Sequence, residues 1–198
     1  MVNIGESFSA IILAGGKSRR MGVNKAELPF RGTTMLKWQV EKFRHLGVDD
    51  ILISGSLSKI AGCTCVEDEY PGMGPLAGLQ ACLKYAKHSN CVVLGVDTPL
   101  ISDRTLFSLF KVHIESDTPI TVLGCCGDIE PLIGVYESSL SEEADSILCS
   151  GNASVRILLN RVGFHVFPYT GDEIEIINCN TPEDYQLLCS TTMAKRGT

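Results

Sequence analysis

Short apolar runs rich in β-branched residues recur at Ala10–Leu13, Ile51–Ile53, Cys91–Val96, Ile120–Leu123 and Leu132–Val135. They are too short and too continuous for helices, and read as strands buried on both faces of a largely parallel sheet. Between them the apolar positions fall at helical spacing. Leu36, Val40, Phe43 and Leu46 share a face that opens at Thr33 or Thr34 as cap and closes at Gly47. Leu76, Leu79, Leu83 and Ala86 do the same behind Pro75, a residue suited to a first helical position. Ser102 can cap a third helix carrying Leu106, Phe107 and Phe110, and Ser139 with Glu142 has capping-box spacing for a fourth. Asn152 can open a fifth through Val155 and Leu159, and Thr181-Pro182-Glu183-Asp184 a sixth. This alternation predicts an α/β three-layer sandwich with helices on both faces of a mostly parallel sheet. No internal repeat or Pro/Gly-rich linker interrupts the 198 residues, so residues 1–198 read as one domain.

Charge narrows the choice of partner. With 17 Lys and Arg against 23 Asp and Glu, the formal net charge is −6. That argues against binding nucleic acid or an anionic membrane through the overall field, so an anionic ligand must be met by a local cluster. No apolar run approaches the roughly 18 residues of a membrane helix. Met1 to Phe8 also lacks the basic and apolar regions of a signal peptide, so the expected location is cytoplasmic. The nine cysteines include no CxxC pair, and most read as small buried hydrophobes in a reducing compartment. Cys63-x-Cys65 and Cys125-Cys126 offer metal ligands or redox switches as the alternative reading, on spacings that are weak by themselves.

The local cluster follows the first strand, in Leu13-Ala14-Gly15-Gly16-Lys17-Ser18-Arg19-Arg20-Met21-Gly22-Val23-Asn24-Lys25, where four cations fall within nine residues. Glycines let backbone N–H groups approach an anion, and Lys and Arg supply the charge that phosphate oxygens require. The segment is neither a P-loop, which needs Gly where Ile11 stands, nor a dinucleotide fingerprint, which needs Gly where Lys17 stands. Its bland alternative is a glycine turn followed by a solvated basic loop. Position argues against that, because open α/β sheets bind ligands beyond the carboxyl ends of their strands.

Asp97 emerges at the end of the Cys91–Val96 run, where a carboxylate can hold Mg²⁺ or merely cap a turn before Pro99. Asp68 lies in Glu67-Asp68-Glu69, either a solvated acidic loop or an acceptor for a base edge or ribose. Gly72-Met73-Gly74-Pro75 is a turn into a helix or a loop over a base. Asn178 and Asn180, two apart, turn both amides one way on an extended segment, or serve as turn and cap residues before Thr181. Arg156 is an exposed helix residue or a partner for a second substrate's phosphate. His45, His88, His113 and His165 lie apart from every motif and read as surface or satisfied core residues.

The glycine and cation segment resembles the first loop of the nucleotidyltransferases related to molybdenum cofactor guanylyltransferase. The likeness continues in order through Glu67-Asp68, Gly74-Pro75-Leu76-Ala77-Gly78, Asp97-Thr98-Pro99, Pro131-Leu132 and Asn178-Cys179-Asn180-Thr181-Pro182-Glu183. It departs at Asn24, where members commonly carry Asp, which implies a local change in hydrogen bonding with Lys25 retained. Ser54 is a second soft point, where some members place an Asn. The resemblance implies a Rossmann-like nucleotidyltransferase sheet and transfer of GMP from GTP to the terminal phosphate of molybdopterin or molybdenum cofactor. It implies GTP contacts at Leu13, Ala14, Gly15, Gly16, Lys25, Asp68 and Asp97, with catalysis by Lys25 and Asp97 and Mg²⁺ on Asp97. Asn178, Asn180 and Arg156 would face molybdopterin, and other cofactor-biosynthesis proteins would make transient contact. The rival readings are a CTP-dependent cytidylyltransferase, a sugar-phosphate nucleotidylyltransferase and a catalytically silent nucleotide-binding protein.

Overall fold

The structure is a computed structural model that describes residues 8–15, 24–55 and 59–194. After β1 (Phe8–Leu13), a 3-10 turn at Lys25–Glu27 leads to a small hairpin, β2 (Pro29–Phe30) and β3 (Thr33–Thr34). Then come α1 (Met35–His45), β4 (Asp50–Ser54), β5 (Thr64–Val66), α2 (Gly74–Tyr85), β6 (Asn90–Gly95) and α3 (Asp103–Ile114). The second half holds β7 (Ile120–Cys125), β8 (Asp128–Glu137), α4 (Ser141–Cys149), α5 (Val155–Val162), β9 (His165–Pro168) and α6 (Pro182–Ala194). Seven strands form one sheet in the order β5-β4-β1-β6-β8-β7-β9. Only β8 runs antiparallel to its neighbours β6 and β7; every other pairing is parallel.

Period-two alternation in β1 splits the interior into two layers. Phe8, Ala10 and Ile12 pack with Val40 and Phe43 of α1 and Leu106 and Phe110 of α3, where the Phe8 and Phe110 rings stack at 4.8 Å. Ile11 and Leu13 point the other way, onto Leu76, Leu79 and Leu83 of α2 and Ile147 and Leu158 of α4 and α5. The sandwich is therefore three layers, as the alternation of runs predicts.

Four of the expected helix starts are present, Pro75 standing in the first turn of α2. Thr34 accepts from the Lys37 N–H, Ser102 accepts from the Thr105 N–H, and Thr181 with Asp184 forms a reciprocal box at α6. Two are not. Ser139 lies in a 3-10 turn, Ser138–Leu140, and its hydroxyl donates to Glu137 instead of capping α4. Helix α5 begins after Ser154, and the Asn152 amide is spent on Ser150. Of the cysteines, Cys82, Cys91 and Cys179 are buried, whereas Cys65, Cys126 and Cys149 are exposed, so burial as small hydrophobes holds for only part of the set. His113 is buried with its ring nitrogens beside Thr121 and Asn90, a satisfied core histidine. No helix among the described residues is long and apolar enough to cross a membrane.

Helix α1 also fixes the loop that follows β6. The Gln39 amide, fully buried, donates to the Gly95 and Thr98 carbonyls, and the Pro99 carbonyl accepts from both Trp38 Nε1 and Lys42 Nζ. Burial pushes the Lys42 ammonium down from 10.5 to about 7, with Arg31 adding to the effect and Asp103 and Glu175 opposing it. Between those two values the unfolded chain holds a proton on Lys42 that the folded chain lacks, so this group makes stability rise with pH through that window. Replacing Lys42 by Met should remove that slope. In denaturant titrations, the unfolding free energy of Lys42→Met relative to the parent should fall from pH 7 to pH 9 by up to about 1.4 kcal/mol per pH unit. A difference that is flat with pH would show that the ammonium is not desolvated.

Candidate functional site

Four parallel strands deliver their carboxyl ends to one edge of the sheet, and the register sets what meets there. Leu13 stands opposite Ser54 on one side and Gly95 on the other, and Ser54 stands opposite Val66. The residues that follow are thereby aligned: Asp68 after β5, Gly55 after β4, Ala14 and Gly15 after β1, Asp97 after β6. From β5 to β6 is three interstrand steps, about 14 Å in all. Leu13 and Ala14 are buried, so what they present at this edge is main chain, and the Leu13 carbonyl accepts from the Val96 N–H. Gly16, Lys17, Arg19 and Arg20 lie outside the described residues.

At one end of the row, glycines let three loops close around a carboxylate. Gly55 has φ +93°, and a Cβ on it would lie 3.0 Å from the Gly15 Cα. A Cβ on Gly78 would fall 2.8 Å from the Ser54 side chain and 3.3 Å from Asp68 Oδ1, and one on Gly15 would fall 3.9 Å from Asp68 Oδ2. Asp68 is thus seated against the first loop and the start of α2. Its Oδ1 is buried without a hydrogen-bond partner, and burial raises its carboxyl above the ordinary range. An acceptor so placed is incomplete until a donor arrives.

At the other end, Asn24 caps the 3-10 turn that carries Lys25, its side-chain oxygen accepting from the Ala26 N–H. An Asp could accept the same bond, so the departure at Asn24 leaves this cap in place. Lys25 Nζ lies 2.9 Å from Asp97 Oδ2 and 2.7 Å from Asn180 Oδ1. The Asp97 carbonyl accepts from the Cys179 N–H, which ties the segment before α6 to the end of β6. Asp97 Oδ1 folds back over Gly95, where a Cβ would meet it at 2.5 Å.

Asn178 and Asn180 reach different partners, Asn178 lying 3.5 Å from Glu130 Oε2 while Asn180 holds Lys25. Arg156 donates to Asp128 Oδ1 and to the Ile129 carbonyl, on the β8 side of the site and not at the Lys25 and Asp97 pair. Glu130 was not singled out by sequence. It is half-buried on β8, and its carboxyl is raised chiefly by burial, with Asp97 adding to the rise and Asn178 opposing it. The only signal available was its place immediately before Pro131-Leu132. Gln39, Trp38 and Lys42 were also missed, since helical periodicity marks only apolar faces.

The donor set around Asp97 suits a hard divalent cation, which takes one or two carboxylates and completes its shell with substrate phosphates and water. Among the described residues no three metal-binding side chains converge there, so a protein cage of the calcium or zinc kind is not built at this point. The arrangement can grip a polyanion between a lysine, a carboxylate-held cation and main-chain N–H groups, and read a donor-bearing group with Asp68.

Comparison with known proteins gives the family of the chain. Residues 10–165 match the MobA-like NTP transferase domain. A probable molybdenum cofactor guanylyltransferase of Carboxydothermus hydrogenoformans is 30% identical, over 92% of this chain and 95% of its own. The molybdenum cofactor guanylyltransferase of Xanthomonas euvesicatoria is 31% identical, over 91% and 94%. Among solved structures, molybdopterin-guanine dinucleotide biosynthesis protein A of Archaeoglobus fulgidus superposes with a TM-score of 0.80 at 23% identity, covering 94% of this chain and 99% of its own. A Mycobacterium tuberculosis protein solved in complex with manganese superposes at 0.66 and 19% identity, covering 93% and 99%. The matched span takes in both ends of the strand row, and the chain belongs to the MobA-like NTP transferase family of nucleotidyltransferases.

Proposed function

We propose that the chain transfers GMP from GTP to the terminal phosphate of molybdopterin or its molybdenum-loaded form, releasing pyrophosphate. The observation that carries the reading is the 2.9 Å contact between Lys25 and Asp97, which brings the cation loop and the β6 carboxylate to one ligand. Guanylyltransferase relatives at about 30% identity over most of their length support guanine over cytosine. Asp68 supports it too, because guanine offers adjacent N–H donors to a half-buried carboxylate at this edge.

Mg²⁺ held by Asp97 would neutralise phosphate oxygens and orient the α-phosphate when bound. Lys25 balances charge on the same triphosphate, and the main chain of Leu13, Ala14 and Gly15 cradles the nucleotide. Asn180 keeps the Lys25 ammonium aimed along this edge. Asn178, Asn180 and Arg156 line the approach of the second substrate, where Arg156 exchanges its exposed pair with Asp128 for the incoming phosphate. That acceptor is a phosphate monoester with a second pKa of about 6, so it reaches the site largely dianionic near pH 7 and needs no general base. Neither Asp68 nor Glu130 has to move a proton in this scheme. What the chain must supply is charge neutralisation and alignment of two polyanions.

The test is pyrophosphate release by purified protein with Mg²⁺, molybdopterin and either GTP or CTP. GTP should be the faster substrate. Lys25→Ala and Asp97→Ala should each lower turnover by about 10²–10³-fold in protein that is still folded at the assay temperature. Unchanged turnover in either variant removes that residue from the mechanism, and faster turnover with CTP overturns the guanine assignment.

A further inference from the structure

The hairpin between β7 and β8 turns through Cys126 and Gly127, with Cys125 and Asp128 paired across it. Both central residues have positive φ, 54° and 84°. That is a type I′ turn, which favours Asn-Gly or Asp-Gly because most side chains are strained at its first central position. A cysteine there runs against local preference, and such outliers often mark functional positions.

The Cys126 thiol has company. Its Sγ lies 3.3 Å from Cys125 Sγ and 3.2 Å from Glu173 Oε1. The three donor atoms fall within 4.8 Å of one another, and they are the one such convergence of His, Cys, Asp or Glu among the described residues. Glu173 is set from the opposite side of the cluster, in a 3-10 turn whose start is capped by Asp172 and whose Glu175 accepts from Ser102 and Thr105. The Cys126 thiol donates to Glu173, and its hydrogen bonds to Cys125 and Glu173, with a smaller contribution from their charge, push it up to about 11.

We propose that Cys125, Cys126 and Glu173 form a binding site for a thiophilic divalent cation of the zinc class, with a fourth position left open to solvent or a ligand. Two sulfurs and one oxygen exclude the hard cations that suit Asp97 and match the donor preference of zinc. Binding is plain ligand exchange: each thiol releases its proton to solvent as its sulfur takes the metal, and no oxidant is required. The site lies two strands along from Asp97, and none of its three side chains touches Lys25 or Asp97. Cys126 and Glu173 are exposed and Cys125 half-buried, so a cation has a free path to them.

The test uses the whole protein, stripped by chelator and held reduced by a phosphine, with Co²⁺ alone as spectroscopic probe and Zn²⁺ as competitor. The parent should take up Co²⁺ stoichiometrically with a thiolate-to-cobalt charge-transfer band that Zn²⁺ abolishes. Cys126→Asn installs a residue the turn prefers, so the hairpin stays and the band should vanish, with pyrophosphate release unchanged. Glu173→Gln should weaken Zn²⁺ binding by at least about tenfold. A paired Cys63→Ser, Cys65→Ser variant should keep the band. Absence of the band in fully reduced parent protein, its persistence in Cys126→Asn, or a Cys125–Cys126 disulfide that resists reductant would each overturn the proposal.

Discussion

An acidic chain that handles polyanions has to hold a lysine and a carboxylate at one point, and the pair of Lys25 and Asp97 is where that is achieved. Each is largely shielded, with side-chain exposures of 16% and 22%, so neither is simply solvated. Removing one would leave the other partly buried and uncompensated, which costs more than the pair contributes. Asn180 gives the ammonium a second acceptor, and the Asp97 main chain is tied to Cys179, so three stretches distant in sequence converge on one contact. In the proposed reaction, ligand phosphates would add to this contact instead of having to create it.

Behind the pair stands a scaffold that is unusually polar for its depth. Gln39 and Lys42 are both buried on α1, and their donors go to main-chain carbonyls of the loop that carries Asp97. The loop is thus held by hydrogen bonds on the side facing the core and left open on the side facing solvent. At the far end the constraint is steric. Gly15 and Gly55 on two loops and Gly78 on α2 make this close approach possible, and it leaves Asp68 Oδ1 buried and without a donor. One half of the site is arranged for charge and the other for recognition, joined by the register of β1 between β4 and β6.

Much of the fold was legible because central strands are buried on both faces and write continuous apolar runs. The edge strands were not. Thr64-Cys65-Val66 exposes its first two residues, and His165–Pro168 ends in a residue that fits only a strand end or edge, so neither carries a burial pattern. Polar residues extend the inner strands past their apolar runs for a reason invisible locally: Ser9 and Asp50 share a buried hydrogen bond 41 positions apart. The same limit governs the site. That Lys25 and Asp97 follow strands could be read from the chain, whereas their 2.9 Å contact depends on β1 and β6 being neighbours. Glu130 and the buried amide of Gln39 left no motif at all, and the failed cap at Ser139 reflects a hydroxyl that found Glu137 nearer than a helix N–H.

In the proposed reaction Lys25 and Asp97 face a single triphosphate whose base reaches Asp68. The measurement that bears on it most directly is a crystal structure with a non-hydrolysable GTP analogue and Mn²⁺, located by its anomalous scattering. Manganese is expected at coordination distance from an Asp97 carboxylate oxygen, with Lys25 on the same phosphates and a guanine N–H on the Asp68 carboxylate. Manganese away from Asp97, or a base seated without contact to Asp68, would contradict it.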